Sequence, residues 1–234
     1  MLDETFFSIY YILIALGLSF FGYWPMYFFY RAAAIGKVGV VSPIASANSI
    51  VAVILAVWLF NEKLALLQTL SIATIIFGVI LLSINLKEFK SSDIFKVSSG
   101  IPYALLAALG WGIWMVLIKI PITHLGPYLT SLITEAGGLI TAFFILKGSG
   151  EKIGIGDKKQ LWYIVPISIL MVIWSIAYYQ GINISNVSVV VAVSSASPVI
   201  VTLYGKFFYQ EKLLLKQYIS IALLAAGIIL ISIK

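Results

Sequence analysis

The chain has 234 residues, of which 62% are hydrophobic and 10% charged, with a mean hydropathy of +1.08 and a formal net charge of +6. A soluble globular domain is about 45–50% apolar and about 25% charged, so an ordinary soluble fold is excluded. The absence of cysteine excludes disulfides, thiolate metal sites and thiol catalysis.

Inside lipid, backbone groups pair within their own segment or around a closed barrel, and long apolar runs without strict alternation select helices. The expected fold is therefore all-α, a polytopic membrane helix bundle with about eight transmembrane helices. In chain order the expected spans are 6–30, 38–60, 66–86, 101–120, 127–146, 161–181, 188–206 and 217–233. Each is about 17–25 residues, the length that crosses roughly 30 Å of hydrocarbon. The N-terminus has no signal-peptide pattern, because Asp3 and Glu4 precede the apolar run and no basic region opens the chain. Only Asn61-Glu62-Lys63 interrupts the apolar run between the second and third spans. The polar stretches 87–97 and 147–160 are too short to be domains.

Residues 30–84 recur as 179–233 without a gap, at an offset of 149 residues (211 − 62, from Glu62 to Glu211). Roughly a third of the aligned positions are identical, the sign of an internal repeat. Tyr30 meets Tyr179, Ser46-Ala47 meet Ser195-Ala196, Gln68 meets Gln217, and Gly78 meets Gly227. The turn at Gln210-Glu211-Lys212 repeats Asn61-Glu62-Lys63, which supports the split between spans 2 and 3. The offset carries spans 1, 2 and 3 onto spans 6, 7 and 8. An odd displacement turns the copies over in the membrane, giving an inverted-topology repeat as in many secondary transporters. Ser98–Gly148 has no counterpart, because Met1 aligns with Gly150, so the first repeat is expected to be truncated.

The repeat resembles the EamA domain of the drug/metabolite transporter superfamily. The residues that carry the resemblance are 30–43 (YRAAAIGKVGVVSP), Glu62-Lys63-Leu64 with Gln68, and Gly78. In the second copy they are Ser197-Pro198, Glu211-Lys212-Leu213, Gln217 and Gly227. Trp111-Gly112 followed by Lys119 is similar to the helix that opens the second repeat in that family. The resemblance implies a truncated first EamA repeat of three spans over 1–86, a linker over 87–97 and a second repeat of five spans over 98–234. Two of the usual ten spans are then lacking. It also implies transport of small organic metabolites and a cytoplasmic C-terminus.

Spans 2 and 7 are the polar ones. Ser42, Ser46 and Ser49 fall on one helical face beside Asn48, while span 7 carries Ser194, Ser195 and Ser197. Pro43 and Pro198 sit among them, and each leaves a carbonyl without its helical donor. These residues read either as two faces lining a substrate cavity or as small residues that let helices pack closely. Trp24, Tyr27, Trp111, Trp114 and Trp174 are candidate substrate-binding aromatics. The interfacial aromatic belt better explains Tyr30, Tyr178 and Tyr179. Glu135 is the one acid deep within a span and a candidate for proton coupling, the alternative being a structural pair with Lys119 or Arg31. Gly137-Gly138 beside it allow close approach of another helix. Glu62-Lys63 and Glu211-Lys212 are expected to start the helices that follow them.

An enzyme is disfavoured. A single His124 rules out a two-histidine zinc motif, no aspartate lies within a span, and no P-loop is present. No cofactor or metal is expected. The lysines are scattered over short loops, so they report topology rather than nucleic-acid binding. The loops after spans 1, 3, 5 and 7 hold twelve of the fifteen basic residues, which places that side in the cytoplasm and both termini outside. The expected partners are the lipid bilayer, a small-molecule substrate, protons and a second copy of the chain as a homodimer. The expected function is secondary transport by alternating access in the cell membrane, as a multi-pass protein. The alternative is a non-transporting fragment, or a membrane subunit that needs a partner to complete the bundle.

Overall fold

A chain this apolar satisfies its backbone by helix formation wherever it can. The computed structural model describes residues 2–83, 99–149, 158–208, 210 and 213–232. Along them run α1 (Leu2–Ile35), α2 (Val38–Ser46), α3 (Asn48–Phe60), α4 (Leu66–Ser83), α5 (Ile101–Leu117), α6 (Lys119–Leu125), α7 (Pro127–Ser149), α8 (Lys158–Ile184), α9 (Val187–Ser195), α10 (Pro198–Phe208) and α11 (Leu215–Ser232). No strand occurs among the described residues. The 87–97 linker and Glu211-Lys212 lie outside them, as does most of the polar 147–160 stretch.

Eight helical stretches are long and apolar enough to cross a membrane: Ile9–Ile35, Val40–Phe60, Leu66–Ser83, Ile101–Leu125, Pro127–Ile145, Leu161–Ile184, Val187–Phe208 and Leu215–Ser232. They follow the expected spans closely, with two clear extensions: the first runs on from residue 30 to Ile35, and the fourth from 120 to Leu125. The fourth continues past Lys119 to Leu125 as two helices that break at Ile118. Pro121 donates no N–H to the Leu117 carbonyl, which accounts for that break.

The helices fall into two compact units. One comprises Met1–Tyr23 with Leu117–Ser185, the other Trp24–Val116 with Asn186–Lys234. Each unit draws on both halves of the sequence, so packing follows neighbours in space rather than order along the chain. In the first unit α6, α7 and α8 pack together, and α7 also meets the first half of α1. Gly137 faces Ser19 and Gly138 faces Tyr23, where an added Cβ would lie 3.2 Å from the phenol oxygen. The glycine pair thus does what its sequence position suggested.

The second unit is built around α4 and α11. Its core is Ile72, Ile75, Val79, Leu82, Ala192, Ala196 and Leu224. A Cβ on Gly78 would lie 2.8 Å from Leu224 Cγ, and one on Gly227 would lie 2.6 Å from Ile75 Cγ1. The offset turns the first contact into the second. The contacting position on α11 falls as that on α4 rises, so the two equivalent helices run antiparallel, as an inverted repeat requires. Ser71 and Ser220, also equivalent and fully buried, each donate their hydroxyl to the carbonyl four residues back (2.7 and 2.8 Å).

Candidate functional site

Spans 2 and 7 are both interrupted, at Ala47 and at Ala196. These residues are equivalent under the 149 offset, although the nearby prolines are not: Pro43 precedes its break and Pro198 follows its own. At each break, hydrogen bonds three residues back replace the usual four-residue bonds. Ala47 N–H donates to Ile44 O at 3.1 Å, Ile50 N–H to Ala47 O at 3.0 Å, Ala196 N–H to Val193 O at 3.1 Å and Val199 N–H to Ala196 O at 3.0 Å. The backbone stays right-handed at both alanines, so each interruption is a tightened turn rather than an unwound stretch.

The serines serve these breaks. Shortened bonding frees the carbonyls of Ser46 and Ala192, and Ser49 Oγ (3.3 Å) and Ser195 Oγ (2.7 Å) donate to them. Ser46 Oγ donates to Ser42 O at 3.0 Å, and Ser197 N–H donates to Ser194 O at 3.3 Å. The hydroxyls of Ser46, Ser49 and Ser195 are thus engaged with their own helices. Of the remaining candidates, Ser42, Asn48 and Ser194 are half-buried and Ser197 is exposed.

The aromatic candidates of the same unit form two groups. Trp24, Tyr27, Phe28 and Tyr103 contact one another ring to ring, with centroids 5.7–6.4 Å apart. Trp24 and Tyr27 remain 49% and 55% exposed. Trp111 packs on Phe29 at 5.5 Å. The Trp-Gly pair has a physical reason, because a Cβ on Gly112 would lie 2.6 Å from Val51 Cβ and 2.9 Å from Asn48 O. Only a glycine lets α5 lie against the start of α3, just past the Ala47 break. Trp114 keeps its indole Nε1 buried with no acceptor among the described residues.

Glu135 and Trp174 belong to the other unit. There α7 turns Thr130, Ser131, Thr134, Gly137, Gly138 and Thr141 inward, at spacings of three and four. Ser131 Oγ lies 3.1 Å from Ser175 Oγ, and Thr134 Oγ1 lies 3.0 Å from Tyr179 OH. Interhelical hydrogen bonds of this kind contribute about 0.6 kcal/mol on average within a membrane. Glu135 borders this stripe, exposed, within electrostatic reach of Tyr23 and Tyr179. Trp174 stacks on Tyr178 at 5.3 Å and is 41% exposed. Tyr178 and Tyr179 are buried (3% and 1% exposed), so they are core residues and not an interfacial belt. Exposed Tyr30 remains compatible with a belt position.

At the interhelical turns one role was not anticipated and another differs from expectation. Gln68 and Gln217, at equivalent positions, bond back to the N–H of Ala65 (3.0 Å) and Leu214 (2.8 Å) and so cap α4 and α11. Glu62 does not start the helix that follows it. Its carboxylate accepts Val187 N–H at 2.7 Å, Ser188 N–H at 3.1 Å and Ser188 Oγ–H at 2.6 Å, all at the start of α9. The Ser188 side chain is fully buried there.

The sequence profile of the EamA-like transporter family matches residues 3–84 and 98–233. The chain belongs to the EamA-like transporter family. It is a multi-pass membrane protein of a transporter family, with spans and repeat packing as described above. An uncharacterised protein of Methanocaldococcus jannaschii is 32% identical over 138 residues, covering 59% of this chain and 99% of that one. A protein of known crystal structure superposes with a TM-score of 0.68 over 95% of this chain and 88% of that chain, at 15% identity, which shows a shared fold.

Proposed function

We propose that this EamA-family chain is a secondary transporter that moves small organic metabolites across the cell membrane by alternating access. The observation that carries the reading is the pair of interruptions at Ala47 and Ala196, equivalent under the repeat and set in the two polar spans. Interrupted helices at matching positions of inverted repeats are where secondary transporters build their substrate sites. Trp114 supports a ligand with an acceptor group, since a buried indole N–H left unpaired costs about 1–3 kcal/mol. Trp24, Tyr27 and Trp111 favour a ligand with apolar or ring surface. Glu135 is the proposed proton carrier of the cycle. A carboxylic acid inside a span is kept where it faces protein or water and where its protonation serves a purpose.

The test is counterflow in proteoliposomes preloaded with a panel of amino acids, sugars and nucleobase-like compounds. Transient uphill uptake of at least one labelled compound is expected. Flux equal to that of empty liposomes across the panel contradicts the reading.

A second reading has its own observation. Residues 161–174 of α8 are all exposed, on every face of about four turns of helix. The Methanocaldococcus relative, covered almost entirely by a 138-residue match, is about as long as one five-span repeat. Both favour a working unit completed by another chain, with a second copy the simplest partner. Native mass spectrometry from detergent separates the readings. A dimer supports completion by a second copy, and a monomer that sustains counterflow removes it.

A further inference from the structure

The Glu62 cap joins the two repeats. Glu62 lies in the α3–α4 turn of the first repeat, and the N–H groups it accepts open α9 in the second, 125 and 126 residues further on. The first N–H groups of a helix have no carbonyl partner within it, and a negative charge there is favoured by the helix dipole. Bonds to a carboxylate are about twice as strong as neutral ones. Asn61, in the left-handed region at φ 48°, bends the turn so that the next side chain reaches α9; Gln210 adopts φ 53° at the equivalent position.

Repeat symmetry separates two kinds of contact. The α4–α11 seam maps onto itself, Gly78 against Leu224 becoming Gly227 against Ile75. That seam survives any exchange of conformation between the repeats. The α3–α9 contact maps instead onto α10 against α2. Among the described residues that pair has no packing comparable to α3 on α9. The structure is therefore one of two arrangements available to an inverted pair, with the Glu62 end closed.

We infer that Glu62 is a reversible latch between the repeats, holding the start of α9 in this arrangement and releasing it in the other while α4 and α11 stay packed. The latch is a property of the two repeats and does not depend on which solute, if any, is moved.

The chain has no cysteine, so single-cysteine labelling reads the latch directly. Val187→Cys reports on the held end of α9, where Val187 is fully buried, and Ser71→Cys reports on the equally buried α4–α11 seam. Spin labels at Lys37→Cys and Gln210→Cys, in a separate variant, report on the distance between α2 and the end of α10. Each is compared with and without Glu62→Gln, which keeps shape and removes charge. The latch predicts thiol labelling at 187 about tenfold faster or more, the scale of one charge-assisted hydrogen bond. It also predicts unchanged labelling at 71 and a new shorter population of the 37–210 distance. Unchanged labelling at 187 overturns the inference. Faster labelling at both sites, or faster labelling at 187 without the shorter distance, makes Glu62 a static cap and overturns it too.

Discussion

Among single residues, the proposed proton carrier is Glu135. It is exposed at the edge of the hydroxyl-rich face of α7, within electrostatic reach of the tyrosines at 23 and 179, and Leu132 and Leu139, three residues before and four after it, are exposed too. Glu135→Gln keeps the shape and removes the titration. Once a transported solute is in hand, this variant is expected to lose accumulation driven by a pH gradient, while solute exchange stays within about twofold of the parent. PH-driven accumulation equal to the parent would assign Glu135 a structural role. The sequence revealed this residue because an acid inside an apolar span stands out by position alone. It did not reveal Glu62, whose partners are 125 and 126 residues away and are backbone N–H groups that no side-chain pattern marks. The tyrosines at 178 and 179 were misread for a related reason. Placement near a span end is shared by belt residues and by buried ones, and the packing that buries both, with the Thr134 hydroxyl facing Tyr179, separates the two cases.

At the scale of elements, the spans were legible because hydropathy over a window of membrane length is a property of composition. The breaks at 47 and 196 were not, since alanine is the best helix former and the prolines beside the two breaks stand at different repeat positions. The α4–α11 seam was half legible. The repeat marked Gly78 and Gly227 as equivalent, and the structure adds that each faces the helix carrying the other. Gly227→Ala would set a Cβ 3.1 Å from the Ser71 carbonyl oxygen as well as against Ile75, so it is expected to destabilise by about 1–3 kcal/mol. Gly17, in α1, has nothing within 4 Å of an added Cβ. Gly17→Ala is expected to be neutral or to stabilise by about 0.5–1 kcal/mol, because alanine costs less entropy in a helix. Thermal unfolding in one detergent compares the two variants. Equal melting temperatures would mean that the seam yields without cost.

At the scale of the whole molecule, we propose that the two inverted copies sharing the α4–α11 seam exchange conformations and so expose the interrupted spans to each side of the membrane in turn. Family membership and the antiparallel glycine contacts establish the copies; the exchange is the proposal. Ser197 is exposed at the Ala196 break, and Ser197→Cys would be the only thiol in the chain. In sealed vesicles of known orientation, a membrane-impermeant thiol reagent applied from either side alone is expected to label this cysteine, given time for the protein to cycle. Labelling from one side only, with none from the other even on long exposure, would contradict alternating access in this chain.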